Sequence, residues 1–215
     1  MFKLIKKIKM IRARKRILNN VTFKGEPYSF HVSSNVILVD NSDKKDIIIG
    51  DRVSIWGSLS SHNHGKIIME DYSKIGANTR VSSVNKIVIG KYSTTAEGCI
   101  IIDNNNHPVN PEYRLAMRKT PHGSEMRNWK YSDSAPIIIG ENVWLGRYVT
   151  VLKGVTIGDN AVIAANSVVT KDVPANSIAA GNPAKIVKKN IDKEPLSSLA
   201  QEALKNFYKE YSTTG

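Results

Sequence analysis

The sequence predicts an all-β fold, a triangular parallel β-helix with a helical segment at each end, and three observations carry that reading. From Ile139 the chain divides into sixes, IGENVW LGRYVT VLKGVT IGDNAV IAANSV, and each block opens on a large aliphatic residue: Ile139, Leu145, Val151, Ile157 and Ile163, then Val169. The fifth position is small or apolar: Val143, Val149, Val155, Ala161, Ser167 and Val173. The fourth is Asn142, Gly154, Asn160 or Asn166 in four blocks, residue types that enter positive φ at low cost. A period of six is neither helical nor alternating. Extended chain sends successive side chains to opposite faces, yet the third position here is mostly polar or small. The chain must therefore bend after each aliphatic residue, leaving positions one and five directed inward. Three such sides close a coil of about eighteen residues, the hexapeptide class of β-helix.

The elements follow in chain order. Residues 1–20 hold eight Lys or Arg and no acid, and so supply eight of the net +12 charges. Leu4, Ile5, Ile8, Ile11 and Leu18 fall near helical spacing, which predicts a basic amphipathic helix. Such a helix either caps the neighbouring domain with a solvated outer face, or rests on an anionic lipid or charged glycan surface. The β-helix domain is expected over 21–190. Its earlier coils open on aliphatic triplets at Ile47, Ile67 and Ile87, about one coil apart. The step from Ile87 to Ile137 is too long for one coil, so a loop is inserted over about 104–136. Residues 191–215 form a C-terminal helix and tail, with Leu196, Leu199, Ala203, Leu204, Phe207 and Tyr211 as an apolar stripe expected to pack on the last coil.

Composition narrows the function classes. The chain has 215 residues, which suits one domain with appendages, and 41% hydrophobic with 23% charged residues is an ordinary globular balance. Apolar runs such as VILV (36–39) and CIII (99–102) are too short to span a bilayer. The start, MFKLIKKIKM, lacks the apolar stretch of a secretory signal. Cys99 is the single cysteine, so no internal disulfide forms. The expected location is the cytoplasm, with weak peripheral contact at the inner membrane face through residues 1–20 left open. No zinc-ligand spacing or RNP-like motif appears, and nucleic acid is not an expected partner.

From about residue 45 to 190, and most strongly from His107 to Lys188, the chain resembles the hexapeptide-repeat acyltransferases. Specifically, it resembles the galactoside and maltose O-acetyltransferase branch and its polysaccharide-modifying relatives. The resemblance implies left-handed coils, an exception to the usual crossover hand. It also implies a homotrimer and acetyl-CoA as co-substrate, with no metal. His107, at the loop root in DNNNHP, matches the family's catalytic histidine; imidazole titrates near neutrality and can take a hydroxyl proton. The acetyl group would pass directly to that hydroxyl. In ENVWLGRY, the Arg147 N–H matches the family's oxyanion donor and Trp144 its acyl-pocket tryptophan. Gly146, Ala164 and Ala165 are small enough to admit a pantetheine arm. Thr170 and Lys171 in VVTKD resemble adenine and phosphate contacts. The AAGNPAKIVKK segment matches the closing motif, with Lys185 and Lys188 available to phosphates. Asn105 and Ser61 are candidate acceptor contacts. Cys99 reads as a core-lining or surface thiol, not a nucleophile.

The resemblance weakens at the acceptor side. The loop after His107 is longer than in the galactoside branch and carries Arg114, Arg118, Lys119, Arg127 and Lys130. It suits either a large or anionic acceptor or a trimer arm. The leading expectation is O-acetylation of a saccharide, a surface-polysaccharide unit or its precursor. N-acetylation of an amino-sugar nucleotide, xenobiotic acetylation and a non-enzymatic scaffold are the alternatives. A zinc-holding β-helix hydratase would need three histidines placed across coils, and the five present (31, 62, 64, 107 and 122) are not spaced for it.

Overall fold

The computed structural model describes residues 2–211. Helix α1 (Phe2–Asn20) leads into a three-sided parallel β-helix whose faces hold six, eight and six strands. Each face is built from short strands one coil apart. The first runs Ile47–Ile49, Lys66–Met69, Lys86–Ile89, Ile137–Ile139 and Thr156–Ile157, in parallel register. A coil also precedes the first aliphatic triplet: Thr22–Phe23, Ser29–Phe30 and Asn35–Val39 begin the three faces. It lacks the triplet signature because it forms the end of the column, where one side of each strand has no coil to pair with.

All twelve aliphatic and small residues picked out at block positions one and five are buried, from Ile139 to Val173. They join Ile47, Ile67, Ile87, Leu59, Val81, Ile101 and others in one continuous column. Full burial of one such aliphatic side chain contributes about 1.5–3 kcal/mol, so the column is the main source of stability. The corners use left-handed backbone. Asn142, Asn160 and Asn166 sit at φ 55°, 60° and 61°. At one corner a side-chain ladder runs from Asn142 to Asn160 to Asn176, each amide N–H donating to the next side-chain oxygen at 3.0 and 2.9 Å. Lower on that corner Tyr72 and Tyr92 take the same backbone (φ 59° and 60°), and their rings stack 5.4 Å apart. A bulky residue there costs about 1–2 kcal/mol, which aromatic stacking partly offsets.

The insertion leaves the ladder intact. Ile87 pairs directly with Ile137 and Ile100 with Thr150, so residues between 102 and 137 leave at the corner joining the third face to the first. Within the insertion lies α2 (Pro111–Arg118), capped by Asn110, whose side chain accepts from the Tyr113 N–H. At the far end the strand Ser177–Gly181 turns back through a cis Asn182–Pro183 bond into Ala184–Lys189, and this antiparallel hairpin covers the last coil.

One helix expectation needs correction. Helix α3 (Ser198–Tyr211) does not cap the column: Leu196, Leu199, Leu204 and Phe207 are all exposed. The hairpin already covers the final coil, with Ile186 packed against the core. In α1 the buried residues are Ala13 and Ile17, whereas Ile5, Ile8, Ile11 and Leu18 of the expected stripe face outward. The side chains of Leu4 and Tyr211, counted in the two stripes, lie outside the described residues. No helix among the described residues is long and apolar enough to cross a membrane.

Candidate functional site

The insertion is held at its root by a two-sided stem. Asn104 bridges Ser134 in antiparallel fashion, the Asn105 N–H donates to the Asp133 carbonyl (3.1 Å), and the Ala135 N–H donates to Asp103 (3.0 Å). Below the stem, Asp103 is fully buried. Its carboxylate accepts from the Ser83 hydroxyl (2.6 Å), the Val84 and Asn85 N–H groups (2.9 Å each) and the Asn104 side-chain amide (3.2 Å). His107 follows directly. Its own N–H donates to the Asn105 carbonyl (2.7 Å), while its ring Nδ1 is buried without a hydrogen-bond partner. Burying an unpaired ring nitrogen costs about 1–3 kcal/mol, and the remaining nitrogen, Nε2, is not buried.

On the second face, Trp144 stands 56% exposed beside Leu145 of the core. Trp144, Gly146, Arg147, Ala164 and Ala165, with Ala96, Val162 and Ile163, line an open groove of about 380 Å³. The lining is almost wholly apolar and its floor is made of small side chains. That fits a pantetheine arm, which is narrow and needs close backbone approach. The Arg147 N–H donates to no acceptor among the described residues, although the Arg147 carbonyl accepts from Asn166 (2.9 Å). Gly146 has a second reason to be glycine: a Cβ there would lie 2.7 Å from the Ala165 nitrogen of the next coil. Coil packing alone requires it.

The remaining sequence-predicted residues separate. Thr170, Lys171 and Lys185 are exposed. Lys188 faces Glu194 at 2.8 Å, so its ammonium already has a partner within the chain. Ser61 must be withdrawn as an acceptor contact: it is fully buried, with its hydroxyl bonded to the Gly65 carbonyl (2.7 Å) and Ser42 (2.9 Å). Alternation along Ser58–His62 turns Ser61 inward and His62 outward. Asn105 is exposed. Cys99 lines the core; burial raises its thiol pKa, and the hydrogen bonds around it only partly oppose that.

A single chain does not bring His107 to the Trp144 groove. His107 leaves at the corner between the third and first faces, whereas the groove follows the second face to its corner with the third. The width of the third face separates them.

The insertion also holds residues the sequence did not single out. Trp129 stacks on His62, centroids 4.1 Å apart, and Asn128 accepts from the Asn63 amide (2.6 Å). The loop thus folds back on its own prism. Burial holds the His62 pKa below its ordinary value despite Asp40 and Asp103 nearby. Arg114 bonds the Val109 carbonyl, Arg127 the Thr120 and Pro121 carbonyls, and Lys130 pairs with Glu125. Three of the five loop cations therefore brace the loop itself. Next to His107, Pro108, Tyr113, Met126 and Tyr131 help line a cleft of about 430 Å³. No spacing rule would have found these contacts, because they depend on how an irregular loop closes. Among the described residues, no three His, Cys, Asp or Glu are grouped to hold a metal ion.

The family described as bacterial transferase hexapeptide (six repeats) matches residues 136–171. Those residues carry the hexapeptide repeat. The repeat is shared with a galactoside O-acetyltransferase of Escherichia coli K12, 35% identical over 57% of this chain and 60% of that one. An E. coli K12 protein assigned provisionally as the lipopolysaccharide biosynthesis O-acetyl transferase WbbJ is 34% identical over 61% of this chain and 64% of its own. Other curated relatives match across a shorter stretch, 40% of their length. Among solved structures, AntD, an N-acyltransferase from Bacillus cereus in complex with dTDP and 3-hydroxybutyryl-CoA, shares the fold. Its TM-score is 0.63 at 18% identity, covering 94% of this chain and 96% of that one.

Proposed function

We propose that this protein is an acetyl-CoA-dependent O-acetyltransferase acting on a saccharide hydroxyl, with His107 as general base. The observation that carries the reading is the pairing of two incomplete half-sites: an imidazole at the loop root whose Nδ1 is buried and whose Nε2 is not, and an apolar groove with an unused N–H beside Trp144. Each half lacks what the other offers, and the third face keeps them apart within one chain. A closed trimer of left-handed coils, an arrangement allowed by cyclic symmetry, would set His107 of one chain against the groove of the next. The names of the E. coli relatives support acetyl transfer to sugars.

In the reaction, His107 takes the hydroxyl proton as the acceptor oxygen bonds the acetyl carbon. The carbon–sulfur bond breaks, and the thiolate leaves with the proton returned from the imidazolium. Acetyl-CoA supplies the activated acetyl group. The Arg147 N–H would stabilise the developing oxyanion, and Trp144, Ala164 and Ala165 would hold the arm. Thr170, Lys171 and Lys185 would meet the nucleotide end, Lys185 as a point charge with no bidentate fork. Asn105 and the tyrosine-lined cleft beside His107 would contact the acceptor, a surface-polysaccharide unit or precursor. The proposed compartment is the cytoplasm, where acetyl-CoA is available.

The test is His107→Ala, assayed by CoA release with a panel of sugars, sugar nucleotides and oligosaccharides. General-base catalysis contributes about 10²–10⁴-fold, so the variant should lose activity on that scale while still binding CoA. Activity within a few-fold of the parent overturns the assignment.

A further inference from the structure

Helix α1 presents two different faces, and only one is used by the fold. At 3.6 residues per turn, successive side chains are about 100° apart. Ala13 and Ile17 point to one side and are buried at 2% and 0% exposure. Ile5, Ile8, Ile11 and Leu18 point to the other side, within an arc of about 140° centred opposite the buried pair. Their exposures are 45%, 41%, 58% and 40%. Large aliphatics standing singly on a surface need no explanation; four along one face of one helix do.

The charges are placed around that stripe. Lys7 and Arg14 fall along one edge, Lys9 and Arg16 along the other, with Arg12 and Lys15 between the aliphatics, and all six are exposed. Among the described residues, Arg16 alone of these six has a side-chain hydrogen-bond partner, Asn35 at 2.6 Å. The helix contains no acid. The apolar surface continues past Ile11 into a groove of about 490 Å³ between α1 and residues 27–30, which ends at Tyr28, 72% exposed. An aliphatic stripe edged by cations, with an aromatic beside it, matches the layered chemistry of a bilayer surface: acyl chains inside, anionic headgroups at the rim.

We infer that the outer face of α1 docks this protein onto an anionic membrane surface. The aliphatics enter the headgroup boundary and the flanking Lys and Arg meet lipid phosphates, while Ala13 and Ile17 keep the helix fixed to the first coil. This goes beyond acetyl transfer and needs no catalytic step. Docking here would hold the enzyme beside acceptors displayed at that surface.

The full-length protein is sedimented with vesicles of phosphatidylcholine alone and of phosphatidylcholine with phosphatidylglycerol, at low and high salt. Binding is expected only to the mixed vesicles, and to weaken as salt rises. The exposed pair Ile8→Ser and Ile11→Ser should cut the partition coefficient at least about tenfold with unchanged circular dichroism and thermal midpoint. Leu18→Ser serves as a second, independent variant with a smaller loss in the same direction. Three results would overturn the inference. One is equal binding of the serine variants, which would leave a charge-only surface suited to any polyanion, nucleic acid included. Another is no binding to mixed vesicles. The third is a fall in molar mass on light scattering for the serine variants without any vesicle binding by the parent, which would assign the stripe to a second copy of the chain.

Discussion

Ser83 donates its hydroxyl hydrogen to Asp103 across 2.6 Å, and both residues are fully buried, one on each of two successive coils. The bond lies under the point where the insertion leaves the column. With the N–H groups of Val84 and Asn85 on the same carboxylate, it fixes the corner from which the stem rises to His107.

Removing that carboxylate should therefore be costly. Asp103→Ala orphans two backbone donors, each worth about 1–3 kcal/mol when left unsatisfied. A loss of roughly 2–5 kcal/mol in urea unfolding is expected, and Asp103→Asn should lose less because it keeps an acceptor oxygen. Unchanged stability of the alanine variant would mean the corner is held by the column alone.

Gly98 sits at φ 73°, and a Cβ there would lie 2.5 Å from ring atoms of Tyr148. Gly98→Ala should cost about 1–2 kcal/mol for the backbone plus the displacement of the ring. In a Tyr148→Ser background the steric part should vanish. A double-mutant cycle without coupling would contradict the packing described.

Two positions in the Trp144 groove should respond differently. Gly146→Ala pushes against the backbone of the next coil, so its thermal midpoint should fall. Ala165→Leu projects from an exposed corner, so its stability should hold while CoA affinity weakens roughly tenfold or more by calorimetry. Tight CoA binding by Ala165→Leu would place the cofactor elsewhere.

Acid stability should report on Asp46. Burial pushes its carboxyl upward, but hydrogen bonds from Lys66 (2.5 Å), the Asp43 N–H (2.8 Å) and His64 (3.2 Å) outweigh this and hold it below the ordinary value. A depressed folded pKa stabilises the protein above the unfolded value, about 3.9, and the contribution is lost as pH falls through the folded value. Lys66→Met removes the leading favourable partner, so its acid unfolding should begin at higher pH than the parent's. Superimposable pH–stability curves would show that the pair contributes nothing.

Much of this protein was legible in its residues. Period-six spacing is local, and it determined the inward residues, the asparagine corners and the position of the insertion, because a coil must bury the same positions at every turn. His107, Trp144 and the residues around Gly146 were named by resemblance to the hexapeptide-repeat acyltransferases, because the repeat marks where a corner or loop falls and not what chemistry it carries. Tertiary structure decided what spacing cannot reach. It turned Ser61 inward, folded the insertion through Trp129 onto His62, left α3 exposed and buried Ala13 and Ile17 in place of the aliphatic stripe of α1. In each case the outcome depends on which surface covers a face in the folded chain, and that surface comes from segments far apart in sequence.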